Sequence, residues 1–258
     1  MRLMKRILSA AAVLALSAPL LVGCSSGTAS SVPVSASSAA ESTVSSVEET
    51  ASSAVDENEA AAAQLLNDLT GSYQELWPVI LADEYKQTWL DDCTALVGED
   101  NAEAAFEKLS SMVTGDVYGE DAVKAYANGG GVYFCGFTNS LAILTFDGET
   151  STISGTDKDG NVLFSHTYHY IGMEPVRGLY EFQSDDADSG EFTYFFLAPD
   201  TSAETYHIEF RYGSDAEALS QYDTGEYAYW LASGISTDCD QTMIDNCIEL
   251  FCTENLAG

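Results

Sequence analysis

The chain has few positive charges: nine Lys and Arg stand against 41 Asp and Glu, for a net charge of −32. Binding to nucleic acid depends on basic patches that neutralise phosphates, so this balance excludes nucleic acid as a partner. The chain also has three histidines and no C-x-x-C pair, which argues against a zinc site built on thiolates. A glycine-rich phosphate loop is absent, because Gly129–Gly131 precede a predicted strand rather than a helix. We therefore do not predict an enzyme.

The N-terminus is built as a bacterial export signal. Three basic residues precede an apolar run, Ile7–Val22, that is too short for a membrane span. The run ends in Leu-Val-Gly-Cys, which resembles the lipobox of bacterial lipoproteins. We predict a signal peptide over residues 1–23 and a lipid anchor at Cys24 that holds the chain on the extracytoplasmic face of the cell membrane. An ordinary cleaved signal with an incidental cysteine is the alternative.

Residues 24–57 form a low-complexity segment of Ser, Ala, Thr and Val with scattered Glu and no aromatic residue. Such a segment cannot bury enough apolar surface to offset the entropy of ordering, so we predict a disordered tether. The folded domain is expected over residues 58–258, a length that suits one domain with a sizeable core. Because three of the nine basic residues lie in the signal, the mature chain carries a charge of −35. A field of that sign attracts cations.

The start of the domain reads as helical and its middle as β-structure. Apolar residues recur at helical spacing over residues 59–96, with a break expected near Pro78, and further helices are predicted over Asn101–Val113 and Asp240–Phe251. From Gly130 onward, short runs rich in β-branched and aromatic residues alternate with turn dipeptides. The runs are GVYFCGF, SLAILTF, STISG, NVLFSHTYHYIG, RGLYEF, EFTYFFLAP and TYHIEFRYG. This pattern predicts a mainly β fold with flanking helices (α+β), in which an antiparallel meander closes into a small barrel.

The last of these runs, TYHIEFRYG, carries the clearest chemistry. Side chains alternate along a strand, so His207, Glu209 and Arg211 share one face, and we expect that face inside the barrel or at its mouth. Residues i and i+2 stand roughly 6.5 to 7 Å apart, close enough for an imidazole and a carboxylate to bind one zinc ion. The other interpretation is a buried ion pair between Glu209 and Arg211, with His207 hydrogen-bonded beside it.

The other two histidines lie in the run HTYHY. His166, Tyr168 and Tyr170 share one face of that strand, and His169 lies on the opposite face. At most one of these two histidines can therefore share an interior with His207. A lone histidine on a strand is more often structural than a ligand.

Five cysteines remain besides Cys24, an odd number for an exported chain. They are Cys93, Cys135, Cys239, Cys247 and Cys252. At most two disulfides can form among them, which leaves one thiol over. The three C-terminal cysteines are the expected place for a bridge, and the sequence does not fix the pairing.

Several stretches together resemble the ZinT/YodA family of extracytoplasmic zinc-binding proteins. The resemblance begins with the spacing L-x-D-x-x-G-x-Y-Q-x-x-W-P-x-I from Leu66 to Ile80, and it continues in AFEKLSSMVTGDVYG, YHYIGMEPVRGLYEFQ, FTYFFLAP and HIEFRYG. It covers about residues 66–251, which is nearly the whole folded part. The order and spacing of the stretches carry the resemblance, rather than any single motif.

The resemblance implies a lipocalin-like (calycin-like) barrel with a zinc site. In the family, an H-x-H pair on this late strand and a third histidine on the preceding strand hold the ion. His207 matches the first histidine of the pair, Glu209 replaces the second, and Phe195 falls at or near the third. The residues that could replace the missing ligand are Asp200, Tyr194 and His169. The implied metal ligands are His207, Glu209 and His169, and Zn²⁺ is the ion favoured by an imidazole and carboxylate set.

As a function, the resemblance implies capture or homeostasis of zinc or a related divalent ion. The family's domain also occurs at the C-terminus of some Gram-positive zinc-uptake lipoproteins, so we expect a Gram-positive cell membrane and a metal ABC importer as partner. The alternative is a metal-free lipocalin-like module with a degenerate zinc site. Such a module would dock on a partner, or hold a small organic ligand in an interior near Tyr168, Tyr170, Tyr194 and Phe196.

Overall fold

A computed structural model describes residues 57–198 and 207–256. The predicted signal peptide, the predicted lipidation site Cys24 and the tether up to residue 56 lie outside the described residues, as does Asp200. The chain divides into two units, Met1–Ser52 and Ser53–Gly258. Everything described below belongs to the second unit.

Eight antiparallel strands form a closed barrel in chain order, with the last strand hydrogen-bonded to the first. The strands are β1 (Gly71–Glu75), β2 (Ile143–Asp147), β3 (Thr152–Thr156), β4 (Val162–Met173), β5 (Tyr180–Ser184), β6 (Tyr194–Leu197), β7 (His207–Gly213) and β8 (Ala232–Ser236). The predicted closed antiparallel meander is confirmed. Such closure removes the unpaired edges that an open sheet would expose.

Helices flank the barrel, as predicted; in the described residues one α-helix precedes β1, four lie between β1 and β2, one lies between β7 and β8, and one follows β8. They are α1 (residues 57–68), α2 (Leu76–Ile80), α3 (Lys86–Val97), α4 (Glu99–Val113), α5 (Glu120–Ala127), α6 (Ala216–Leu219) and α7 (Gln241–Leu256). Within residues 57–198 and 207–256, none of the helices is both long and apolar enough to cross a membrane.

The long helix predicted over residues 59–96 is wrong in its middle, where the chain forms β1. Gly71 adopts a φ of 146°, a conformation that ends the helical path. Tyr73 then pairs with Leu144 of β2 on one side and with Ser236 of β8 on the other, so this short strand closes the barrel. Apolar spacing over five residues does not separate a strand from a helix, and here the pairing of the barrel decides.

Two other strand predictions also need correction. The run GVYFCGF (131–137) is not a strand of the barrel and contributes a single bridge residue, Phe134. The strand β8 was not predicted, because its sequence ASGIS consists of small residues around one Ile. The small residues suit a crowded position: a Cβ added at Gly234 would lie 3.1 Å from the Ile208 side chain and 3.3 Å from Phe137.

Aromatic side chains fill the interior of the barrel. The Phe195 ring centroid lies 5.8 Å from Phe164, 5.4 Å from Tyr168 and 5.3 Å from Tyr212, and all four rings are buried. A second apolar cluster lies outside the barrel wall, where α2, α3, α4 and α7 cover Ile235 of β8. The barrel wall therefore separates an aromatic core from a helix-covered outer surface.

Candidate metal site on the outer face of β7

The two faces of β7 are reversed relative to the sequence prediction. Ile208, Phe210 and Tyr212 are buried in the inner core, whereas His207 is half-buried and Glu209 is exposed on the outside. Cross-strand pairing fixes this choice, because Tyr212 lies opposite Phe195 and its ring packs on that buried side chain. Placing the aromatic face inside removes more apolar surface from water than placing the polar face there. The predicted location of the polar face inside the barrel is therefore wrong.

His207 and Glu209 remain neighbours on the outer face. Their cross-strand partners on β8 are Ile235 and Ser233, and the Glu209 carbonyl accepts a hydrogen bond of 2.9 Å from the Ala198 backbone N–H. These contacts fix the backbone on both sides of the pair. The two side chains stand at i and i+2 on one face, so an imidazole nitrogen and a carboxylate oxygen can reach the same ion from roughly 7 Å apart.

The Glu209 carboxylate also acts on two buried thiols nearby. Burial, with the Glu209 charge as a smaller contribution, raises the pKa of Cys135 to about 12. Burial raises the pKa of Cys247 to about 12 as well, with the charges of Cys239 and Glu209 adding to it. Both thiols are therefore protonated at neutral pH. Because zinc binds the thiolate, either thiol would have to release its proton before it could serve as a ligand beside Glu209.

The third polar residue of this face, Arg211, has a structural role. Its guanidinium is fully buried and donates to the backbone carbonyls of Leu219, Gln221 (3.2 Å) and Tyr227. These bonds hold the chain that leaves α6 against the outer wall of the barrel. The predicted alternative, a buried ion pair between Glu209 and Arg211, is therefore wrong. The Arg211 guanidinium donates its hydrogen bonds to backbone carbonyls instead.

Arg211 also belongs to a cluster that the sequence analysis missed. The ring of Tyr222 lies between two guanidinium groups, with the Cζ atoms of Arg177 and Arg211 each 4.4 Å from its centroid. Glu174 is fully buried and accepts hydrogen bonds from the Arg177 backbone N–H (2.6 Å) and the Tyr222 hydroxyl (3.3 Å). Two of the nine lysines and arginines of the chain meet here. The small number of basic residues was the one feature of the sequence that could have drawn attention to this cluster. No local motif joins Arg177, Arg211 and Tyr222.

The structure does not bring His169 together with His207. His169 of β4 lies opposite Gln183 of β5, Gln183 lies opposite Tyr194 of β6, and Tyr194 lies opposite Gly213 at the end of β7. His207 begins β7, six residues before Gly213. At about 3.3 Å per residue, the two histidines are on the order of 20 Å apart in the direction of the strands, and the strands between them add to that distance. A site that contains His207, Glu209 and His169 together is not formed.

The two histidines of β4 each pair with an aspartate instead. His169 Nδ1 lies 2.6 Å from Asp185 Oδ1, and His166 Nδ1 lies 2.7 Å from Asp186 Oδ2. These partners follow β5 directly, next to the strand that carries the histidines. Such pairs orient an imidazole without a metal, which fits the structural interpretation of both histidines.

Phe195, which the resemblance aligns near the third family histidine, lies on the inner face of the barrel. His207 and Glu209 lie on the outer face, so a ligand at position 195 would not reach them. In the described part of the chain, no group of three or more His, Cys, Asp or Glu side chains is arranged to hold an ion. The pair on β7 therefore offers two protein ligands and leaves other coordination positions open.

No family model matches the chain, and no curated protein matches it significantly. Among solved structures, the chain is similar to the Zn(II)-bound ZinT-like domain of Streptococcus pneumoniae AdcA, with 15% identity and a TM-score of 0.45 over 71% of this chain and 89% of that domain. It is also similar to Zn(II)-bound AdcA from the same organism, with 14% identity and a TM-score of 0.43 over 72% of this chain and 35% of the longer one.

Proposed function

We propose that this chain is a membrane-anchored extracytoplasmic lipoprotein whose barrel binds zinc or a related divalent ion and contributes to metal capture. The observation that carries the proposal is the pair His207 and Glu209, which stand two residues apart on the outer face of β7 with Glu209 open to solvent. Binding, and not catalysis, is the proposed activity.

The donor set favours zinc among the common divalent ions. One imidazole nitrogen and one carboxylate oxygen match ligands that zinc accepts at about 2.0–2.2 Å, whereas calcium and magnesium prefer oxygen ligands alone. Zinc usually takes four ligands, so two positions remain for water or for groups of a partner. A site open in this way exchanges its ion readily, which suits handover to an importer better than long-term storage.

The charge of the chain supports the same activity. The mature chain carries −35 in total, and such a field raises the local concentration of cations around the domain. A lipid at Cys24 with a tether of about 33 residues would keep the domain near the membrane while leaving it free to meet an importer.

A competition titration against a chromophoric zinc chelator tests the proposal. We expect the wild-type chain to take up one zinc ion and His207→Ala to weaken that uptake at least about tenfold, because one of two protein ligands is lost. His169→Ala is the matched control, since it removes a histidine that lies elsewhere on the outer face, and it should titrate as wild type. No uptake at micromolar protein, or equal uptake by His207→Ala, would remove the proposal.

The second candidate is a metal-free module that binds a small organic ligand, and we propose a ligand site outside the barrel for it. Packed aromatic rings occupy the barrel interior, and Phe196 lies on the outer face opposite Arg211. A groove of about 330 Å³ does open outside the barrel, lined by Glu75, Trp77 and Cys135 among others. That volume is at the lower limit for ligand pockets. Native mass spectrometry separates the candidates: a co-purified organic mass favours the groove, and a bound metal favours β7.

A further inference from the structure

The sulfur atoms of Cys93 and Cys252 lie next to each other. Their Sγ atoms are 3.9 Å apart, although 159 residues separate the two positions in the chain. Cys93 belongs to α3 and Cys252 to α7, two helices that pack side by side outside the barrel, and neither side chain has any exposed surface. Both cysteines are free thiols in this structure, and their sulfurs need to approach by about 2 Å to reach the length of a disulfide bond.

We propose that Cys93 and Cys252 form a disulfide that ties α3 to α7 in the exported protein. The pairing differs from the sequence expectation of a bridge among the three C-terminal cysteines. The inference rests on the proposed extracytoplasmic location, since disulfides persist in oxidising compartments. It does not depend on metal binding.

The oxidant is a second disulfide, either that of a small thiol or that of a thiol–disulfide oxidoreductase. One cysteine thiolate attacks a sulfur of this oxidant, forms a mixed disulfide and releases the first thiolate. The other cysteine thiolate then attacks the mixed disulfide at the protein sulfur, forms the Cys93–Cys252 bond and releases the second thiolate. The two cysteines lose two electrons and two protons, and the oxidant is reduced to two thiols.

Burial determines when this exchange takes place. Loss of solvent raises the pKa of both the Cys93 and the Cys252 thiol, so the folded, reduced pair holds little of the reactive thiolate. The attack on the oxidant therefore belongs to folding, before α7 has docked on α3, and the second exchange closes the bond as docking brings the two sulfurs together. Once α7 has docked, the same burial protects the bond from reduction.

The helix that the bond would fix lies beside the candidate metal pair. Cys247, five residues before Cys252 on α7, packs in the same outer cluster as Ile235, the cross-strand partner of His207. The bond would thus hold the C-terminal helix against the outer wall without supplying a metal ligand.

Peptide mapping tests the pairing directly. The full chain is refolded in a glutathione redox buffer, its remaining thiols are blocked, and it is cleaved after glutamate. Cys93 then lies on the peptide 85–99 and Cys252 on 250–254, whereas Cys239 and Cys247 share 227–249. We expect 85–99 joined to 250–254, with a mass two hydrogen atoms below the sum of the peptides. Free, blocked thiols on both peptides, or a link from either one to another cysteine, would overturn the proposal.

Thermal unfolding of the same samples gives a second measurement. Reduction of the linked chain should lower the unfolding midpoint by roughly 5–15 °C, because the bond closes a long loop of the unfolded chain. Cys252→Ala should show no effect of reductant, and Cys247→Ala, a buried cysteine on the same helix, should keep the full shift. A linked wild type with an unchanged midpoint would contradict the stabilising role. Loss of zinc uptake in a linked chain would count against the metal site alone.

Discussion

Substitutions on the two faces of β7 should have different consequences for the protein. The inner face carries Ile208, Phe210 and Tyr212, which pack among the aromatic rings of the barrel. The outer face carries His207, which is half-buried, and Glu209, which is exposed. A substitution inside disturbs the packing of neighbouring rings, while a substitution outside alters mainly the local chemistry. A metal site on the outer face can therefore be gained, altered or lost without any change of fold.

The largest expected difference between the faces is in stability. Phe210→Ala should lower the free energy of unfolding by about 3–5 kcal/mol, because it opens a cavity among Phe137, Phe195 and Tyr212. The adjacent exposed Glu209→Ala should change it by less than about 0.5 kcal/mol. Denaturant unfolding of both variants measures the difference. Equal costs for the two substitutions would show that the faces are not divided in this way.

Arg211 lies on the outer face of β7 but is buried. Its replacement therefore tests whether burial, rather than the face, determines the loss of stability. Arg211→Met should lower the free energy of unfolding by about 2–4 kcal/mol, since it leaves the carbonyls of Leu219, Gln221 and Tyr227 without their donors. Exchange of the backbone amide hydrogens should accelerate over residues 219–227, while the amides of the barrel strands keep their protection. A variant as stable as wild type would mean that the guanidinium is not needed to hold this segment.

Much of the fold could be predicted from the sequence, because strand alternation and turn dipeptides repeat along the middle of the chain. β1 and β8 could not, since one is a five-residue strand within a helical pattern and the other is made of small residues. The sharing of one face by His207 and Glu209 follows from strand periodicity alone. Which face is inside does not, because the aromatic side chains on neighbouring strands decide it. The position of His169 depends on the register across four strands, which no local pattern contains.

For zinc affinity, a substitution on the outer face should have the larger effect and a substitution on the inner face little or none. Glu209→Gln should weaken zinc binding about tenfold, which corresponds to about 1.4 kcal/mol, because the neutral amide is a poorer ligand than a carboxylate. Tyr212→Phe, on the inner face, should bind zinc as wild type. The chelator titration measures both variants, and a larger loss in Tyr212→Phe would place the ion elsewhere.

The inner face should also destabilise the folded protein at alkaline pH. Burial raises the pKa of Tyr73 to about 12, whereas the unfolded chain releases this proton near 10. Between these pH values the unfolded state binds fewer protons than the folded one, so the free energy of unfolding falls as pH rises from 10 to 12. Tyr73→Phe should make that fall less steep. An unchanged slope would mean that Tyr73 titrates normally in the folded protein.

Nuclear magnetic resonance of the imidazole nitrogens during a zinc titration tests the metal site most directly, because the chain has three histidines. We predict that zinc moves the ring signals of His207 and leaves those of His166 and His169 in place. The backbone amide of Glu209 should move with His207, while the amides of Phe210 and Tyr212 should shift little. Movement of the His166 or His169 rings with His207 unchanged would contradict the site on β7, and so would the absence of any change at saturating zinc.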